Sequence, residues 1–172
     1  CWFAENLRAE SYENGHSIPS ELGATQWMQT NSGATAYNDL EVYGQLYNWF
    51  AVDDERGLCP NGWHIPTDYE WTVMTDLLGG SSVAGGKMKT SFGWVNDGGG
   101  TNSSGFSALP GGARLLNGFF ENYSMFGYWW SSSLGSADIP WRWALSTGSD
   151  EVDVNDGNPQ MGFSVRCIKD TE

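Results

Sequence analysis

Four oxygen-bearing side chains crowd one short segment near the C-terminus and have the types and spacing to hold a hard cation. They are Glu151, Asp153, Asn155 and Asp156. Ca²⁺ takes roughly six to eight oxygen ligands, so the sequence makes this segment a candidate Ca²⁺ site. The favoured interpretation is a metal-free β-hairpin, because Asn155-Asp156-Gly157-Asn158 is good turn chemistry whether or not a cation binds.

Aromatic and amide side chains are concentrated between residues 117 and 160, and such residues stack on sugars or anchor protein partners. Successive side chains of a strand point to opposite faces, so a core Trp129 predicts an outward Trp130, and Trp141 and Trp143 should share a face. The predicted ligand-binding residues are Asn117, Phe119, Asn122, Tyr123, Trp130, Trp141, Trp143, Asn155, Asn158 and Gln160. The alternative is that these rings fill a second small core.

Residues that commonly perform catalysis are few and widely separated. The two histidines, His16 and His64, show no metal-ligand spacing that would predict a zinc site. His64 stands between Trp63 and Ile65 on an apolar segment and is predicted to be a hydrogen-bonded core histidine. We therefore predict no catalytic residues and a protein that is not an enzyme.

The three cysteines are Cys1, Cys59 and Cys167. A bridge between Cys59 and Cys167 would close a loop of about 108 residues and contribute about 4 kcal/mol to stability. Two buried free thiols are the alternative, and a composition typical of secreted proteins favours the bridge. Cys1 is then left over, as a buried thiol, as the partner of an upstream cysteine or as a lipidation site.

The charge balance excludes several classes of partner. The net charge is −13, with eight Lys and Arg against 21 Asp and Glu. Nucleic acid binding requires clustered cations, and an anionic membrane surface is disfavoured for the same reason. No apolar run is long enough to cross a bilayer. The sequence opens abruptly at Cys1-Trp2-Phe3, which we interpret as a segment of a longer surface protein.

The elements that would position these residues indicate one α+β domain over residues 1–172. Apolar spacing predicts helices over residues 41–51 and 67–78, and Thr67 with Glu70 forms a capping-box pattern at the start of the second. Residues 11–38 are predicted to form a long ordered loop, and Gly and Ser dominate the segment from the end of the second helix to residue 105. Short β-like segments follow, with hairpin dipeptides at Asn117-Gly118 and Asp156-Gly157.

Several of these blocks together resemble the Fibrobacter succinogenes major paralogous domain family of bacterial surface proteins. The matching blocks cover nearly the whole chain in order: residues 2–8, 43–49, 58–71, 84–89, 102–114, 128–132 and 162–167. The resemblance implies a secreted or surface-displayed module, and the ligands of this family are mostly unknown.

A more distant resemblance links Asn48-Trp49 and residues 65–71 to formylglycine-generating-enzyme-like domains. It implies a C-type-lectin-like fold: two helices flank antiparallel strands, the terminal strands pair, long ordered loops carry the ligand face, and a disulfide ties the first helical region to the last strand. Aerobic enzymes of that family use a copper-binding cysteine pair in the C-terminal half. Only Cys167 lies there, which argues against that activity.

The sequence therefore predicts an extracellular, non-catalytic binding or adhesion module that recognises a glycan or a protein. Its ligand face should be built from residues 117–123, 130–136, 141, 143 and 151–160. The alternative is a structural or self-assembling subunit of a cell-surface assembly, and a formylglycine-generating-like enzyme is the less favoured third interpretation.

Overall fold

The computed structural model describes residues 1–171, which form a mixed α+β domain. The α-helices among these residues are α1 (Ala24–Gln29), α2 (Leu40–Tyr43), α3 (Trp49–Val52), α4 (Asp68–Leu77) and α5 (Ser81–Met88). The strands are β1 (Thr35–Ala36), β2 (Leu46–Tyr47), β3 (Trp63–His64), β4 (Ala113–Arg114), β5 (Phe120–Glu121), β6 (Phe126–Leu134), β7 (Pro140–Ser146), β8 (Val152–Asp156), β9 (Phe163–Ser164) and β10 (Ile168–Lys169). The predicted α+β class is confirmed.

One six-stranded sheet organises the domain, with strand order β1-β2-β9-β6-β7-β8. Its pairs are antiparallel except for β6 with β9, which meet in parallel at Trp129 and Ser164. Two smaller antiparallel pairs, β10–β3 and β4–β5, lie beside it. The N-terminal segment extends the first of these pairs, because Trp2 bridges to Ile168.

Both faces of the central strands are covered, which corrects the expectation that every second tryptophan faces outward. Trp129 and Trp143 belong to a core beneath α4 and α5. Trp130 points the other way and packs in a second core against Trp49 of α3. Trp130 is 0% exposed and Trp143 is 4% exposed. Neither ring can meet a ligand, so both are removed from the predicted ligand face.

The start of α4 and the disulfide agree with the sequence. Thr67 caps α4, and Glu70 Oε2 accepts from the Thr67 backbone N–H at 2.8 Å, which completes the capping box. Cys59 and Cys167 are bridged, with their Cα atoms 5.9 Å apart. Cys1 is exposed and free. The bridge ties the connector before β3 to the segment between β9 and β10.

The helix predicted over residues 41–51 is wrong. The chain instead forms α2, β2 and α3, because Gly44 takes a φ of +75° and ends α2. Asn48 then starts α3 by accepting from the Ala51 N–H. Tertiary pairing of β2 with β9 decides this segment, and it overrides the helical spacing of the apolar residues.

The loop predicted over residues 11–38 and the Gly/Ser-rich segment after α4 both contain regular structure. Residues 11–38 include α1 and β1, and residues 79–105 include α5. The glycines of α5 allow close packing, since a Cβ on Gly85 would stand 2.7 Å from the Asp150 carbonyl oxygen. A glycine-rich sequence here serves contact between a helix and the chain entering β8.

The hairpin predicted at Asp156-Gly157 is wrong, although the one at Asn117-Gly118 joins β4 to β5 as expected. β8 pairs with β7 and not with the following strand, which lies across the sheet beside β2 and β6. Gly157 passes close to an indole instead, because a Cβ there would stand 2.3 Å from the Trp130 ring.

Three cations are buried in the interior and bound to backbone carbonyls. Lys89 Nζ donates to the carbonyls of Gly98, Ser146 and Ser149 at 2.9, 3.1 and 2.7 Å. Arg114 donates to the Gly118 and Leu22 carbonyls and stacks on Trp27. Arg166 donates to the Phe3 and Phe106 carbonyls. These side chains hold loops to the sheet.

Candidate functional site

A half-exposed pair of aromatic rings lies on one face of β6, beside β7 and β8. Phe126 and Tyr128 are two residues apart on β6, so their rings point to the same side. Their planes are parallel to within 7° and their centroids are 5.6 Å apart, so the two rings are stacked. We call this pair the aromatic step. Further along β6 the same face is covered at Trp130 by α3. The uncovered end borders a cavity of about 210 Å³. We call this end the β6–β8 surface; its residues include Phe126, Tyr128, Arg142, Glu151 and Asp153.

Polar groups border the aromatic step on β7 and β8. The guanidinium of Arg142 lies 5.3 Å from the centre of the Tyr128 ring and donates to Asp153 Oδ2 at 3.0 Å. Asn155 Nδ2 donates to the other oxygen of Asp153 at 2.9 Å. Glu151 also lines the cavity. The surface therefore combines two stacked rings with fixed donors and acceptors, the combination that recognises a sugar or a polar protein segment.

The predicted ligand-binding residues divide into several groups. Phe119 and Tyr123 are 61% and 54% exposed, and Asn117 at the β4–β5 turn is exposed. Asn122 Nδ2 lies 3.3 Å from the Tyr128 hydroxyl, which joins it to the β6–β8 surface. Asn155 belongs to the same surface.

The remaining predicted residues do not join this surface. Trp141 is half-buried against Gly135, and Asn158 is exposed. Gln160 donates to the Met28 and Thr30 carbonyls and so ties its loop to the end of α1. Of the predicted ligand-binding residues, Asn122 and Asn155 lie at the β6–β8 surface.

Sequence reasoning missed Phe126, Tyr128 and Arg142 as site residues. The spacing of Phe126, Tyr128 and Trp130 was visible, since all three fall on one face of a strand. The sequence does not show how far along β6 the helix α3 covers that face. The proximity of Arg142 to Tyr128 follows from the strand register. Tyr128 of β6 opposes Ala144 of β7, so Arg142, two residues before Ala144, is the diagonal neighbour of Tyr128. Ala144 in turn opposes Asp153 of β8.

The proposed Ca²⁺ ligands do not converge. Alternation along β8 puts Asp153 and Asn155 on one face and Asp156 on the other, and Asp153 is already bonded to Arg142. Over residues 1–171, no group of three or more His, Cys, Asp or Glu side chains is placed to hold a metal ion. A cation site at Glu151, Asp153, Asn155 and Asp156 finds no support in this geometry.

His64 lies elsewhere, in a cluster of three titratable side chains, and it is not the core residue predicted from its neighbours. Its Nδ1 is 2.6 Å from Asp170 Oδ1, and its Nε2 is 2.9 Å from Glu70 Oε1. The side chain is 40% exposed. Burial alone would lower the pKa of His64, but the hydrogen bonds to Asp170 and Glu70 outweigh it and raise the pKa above its usual value. The cluster ties β3 and α4 to the C-terminal segment.

The raised pKa of His64 predicts a pH-dependent contribution to stability. A group whose pKa is higher in the folded state stabilises that state fully below its unfolded pKa of about 6.5, and the contribution disappears as pH rises through the folded pKa. Because the side chain is partly exposed, we expect a loss of less than about 1 kcal/mol. Urea unfolding between pH 5.5 and 8.5 measures it. His64→Gln should remove this slope, and His16→Gln should keep it; a slope unchanged in His64→Gln would contradict the assignment.

These features define a disulfide-bonded α+β domain with an aromatic surface at one end of its sheet. The sequence model of the Fibrobacter succinogenes major domain matches residues 1–169, and the chain belongs to this family. The family description carries no function. No curated protein and no solved structure matches the chain significantly.

Two further observations bear on where the protein resides. Among residues 1–171, no helix is long and apolar enough to span a membrane. The Cys59–Cys167 disulfide is consistent with an oxidising compartment, because such bonds are rare where thiols are kept reduced.

Proposed function

We propose that this protein is an exported, non-catalytic binding module of the bacterial cell surface that recognises a glycan through the β6–β8 surface. The observation that carries the proposal is the parallel, stacked pair of Phe126 and Tyr128 beside Arg142 and Asp153. A sugar ring offers C–H groups to such rings and hydroxyls to the polar side chains around them. Ring faces give contact area at little entropic cost.

The charge of the β6–β8 surface favours a neutral glycan. Arg142 is balanced by its ion pair with Asp153, and Glu151 adds a further negative charge to the cavity lining. The β6–β8 surface therefore offers no unpaired cationic side chain that could form an ion pair with an acidic sugar. The surrounding protein, with its net charge of −13, would repel it further.

Two observations support a C-type-lectin-like arrangement and a role without catalysis. The terminal segments pair, since Trp2 bridges to Ile168, and a disulfide connects the region before β3 to the chain's last strands. Cys167 is 0% exposed and bridged, so it cannot act as the thiolate of a formylglycine-generating enzyme. These features suit a rigid scaffold that presents a surface.

A glycan array with the wild-type protein and three variants tests the proposal. Phe126→Ala removes one ring of the step, and Asp153→Ala removes the polar acceptor; each should weaken capture of a neutral glycan about tenfold, which corresponds to about 1.4 kcal/mol. Phe92→Ala is the matched control, since Phe92 is 67% exposed but does not line this surface.

Two results of the same glycan array would contradict the proposal. Silence on all glycans would overturn it and would favour a protein ligand or a structural role. Capture that survives both β6–β8 variants would place the binding site elsewhere. Circular dichroism of each variant separates lost binding from lost folding.

A further inference from the structure

Helix α4 presents an apolar stripe that the domain leaves uncovered. Trp71 and Thr75 form its core side and are 0% and 3% exposed. Tyr69, Val73 and Leu77 follow one another at four-residue spacing, which aligns them along one side of a helix. They are 75%, 39% and 82% exposed. Single exposed apolar residues are ordinary, whereas contiguous exposed apolar patches mark interaction surfaces.

The stripe forms one wall of a cavity of about 910 Å³. Trp2, Phe106 and Ile168 lie in the cavity lining opposite α4, and Met74 lies beside the stripe. We call this cavity the α4 groove. Its lining shares no residue with the β6–β8 surface, among the residues described. It is therefore a second, separate place for contact.

Carboxylates flank the apolar stripe of α4 on both sides. Asp76 is exposed on one side of the stripe. Glu70 lines the other side, where it and Asp170 share a single imidazole of His64. The nearby ammonium of Lys87 is bonded to the Leu78 carbonyl at 2.7 Å, at the end of the helix. A second copy of the chain would bring the same carboxylates against these, so charge disfavours self-pairing here.

We propose that the α4 groove binds a basic amphipathic helix of a partner protein. Tyr69 and Leu77 are eight residue steps apart, or about 12 Å along the helix axis, which matches about two turns of a partner helix lying alongside. Apolar side chains at three- and four-residue spacing on the partner pack on the stripe. Lysine or arginine side chains flanking that apolar side meet Asp76 and the Glu70–Asp170 pair.

A pair of synthetic helices tests the proposal on the whole chain. One peptide of about 15 residues, a length at which isolated helices begin to form, carries leucines on one side and lysines beside them. The matched peptide has glutamate at each lysine position. Isothermal titration should show the lysine peptide binding at least tenfold more tightly. Leu77→Ser should weaken that binding about tenfold, and Phe92→Ser, an exposed control outside the groove, should leave it unchanged.

Three results would overturn the proposal. The first is equal affinity, or no affinity, for both peptides. The second is binding of the lysine peptide that Leu77→Ser leaves intact, which would reveal attraction by overall charge alone. The third is a concentration-dependent dimer in sedimentation that Leu77→Ser abolishes, because the groove would then belong to a second copy of the chain. Leu77 is largely exposed, so its replacement tests contact and not folding.

Discussion

Replacing Cys59 and Cys167 together with alanine is expected to lower the free energy of unfolding by about 4–5 kcal/mol. The bridge closes a loop with a sequence separation of 108 residues, and cross-linking so long a loop removes much of the entropy of the unfolded chain. The two cysteines are 5% and 0% exposed, so the variant also loses packed sulfur. Equilibrium unfolding in urea measures the difference.

Cys1→Ser is the matched control for this experiment, because Cys1 is exposed and unbridged. It should change the unfolding free energy by less than about 0.5 kcal/mol. A double variant that unfolds at the same urea concentration as the wild type would show that the strands and buried side chains already fix the loop.

The Asn6→Ala variant is expected to lose about 4 kcal/mol. Asn6 Oδ1 accepts from Trp129 Nε1 at 2.9 Å and from Arg166 Nη2 at 2.8 Å, and Asn6 Nδ2 donates to the Tyr43 carbonyl. Arg166 is 1% exposed, and burial lowers its pKa to about 9. Truncating Asn6 leaves an indole N–H and a buried guanidinium without this acceptor, and such groups cost about 1–3 kcal/mol each, or more when charged.

Two variants bracket this prediction. Asn6→Asp keeps an acceptor for Trp129 and Arg166 and should lose less than Asn6→Ala in thermal or urea unfolding. Asn14→Ala serves as the control, since Asn14 is exposed and its Oδ1 accepts from the His16 backbone N–H within the same turn. Equal stabilities for Asn6→Ala and Asn14→Ala would contradict a central role for Asn6.

Features that depend on local chemistry could be predicted from the sequence. The capping box at Thr67 and Glu70 works within one helical turn, and the Asn117-Gly118 turn joins adjacent strands. The disulfide was also predicted, as the favoured pairing of Cys59 with Cys167. In each case the residues that decide the structure lie close in sequence or are chemically distinctive.

Features that depend on distant contacts could not be read the same way. The segment at 41–51 has helical spacing, but pairing between β2 and β9 draws residues 46–47 into the sheet. Leu77 fits the apolar pattern of α4 and yet is 82% exposed. The side chains do alternate along β6, but alternation alone does not show that the domain covers both faces of the strand at Trp129 and Trp130.

The candidate site shows the same division. The aromatic richness of the C-terminal third was evident, whereas the particular rings at the surface were not. Trp130 and Phe126 share a face of β6, and only the position of α3 buries one and leaves the other half-exposed. Likewise, His64 looks like a core residue until Asp170 and Glu70 are brought to its ring from distant parts of the chain.

The three interior cations affect the electrostatic repulsion between neighbouring copies of the protein. With Lys89, Arg114 and Arg166 occupied by carbonyls, five of the eight Lys and Arg side chains remain to offset 21 carboxyl groups. The surface of the protein therefore carries a large excess of negative charge, which attracts counterions from solution. Copies crowded side by side would repel one another over a range of about 8 Å at physiological ionic strength, so neighbours stay spaced and their faces stay open to solution.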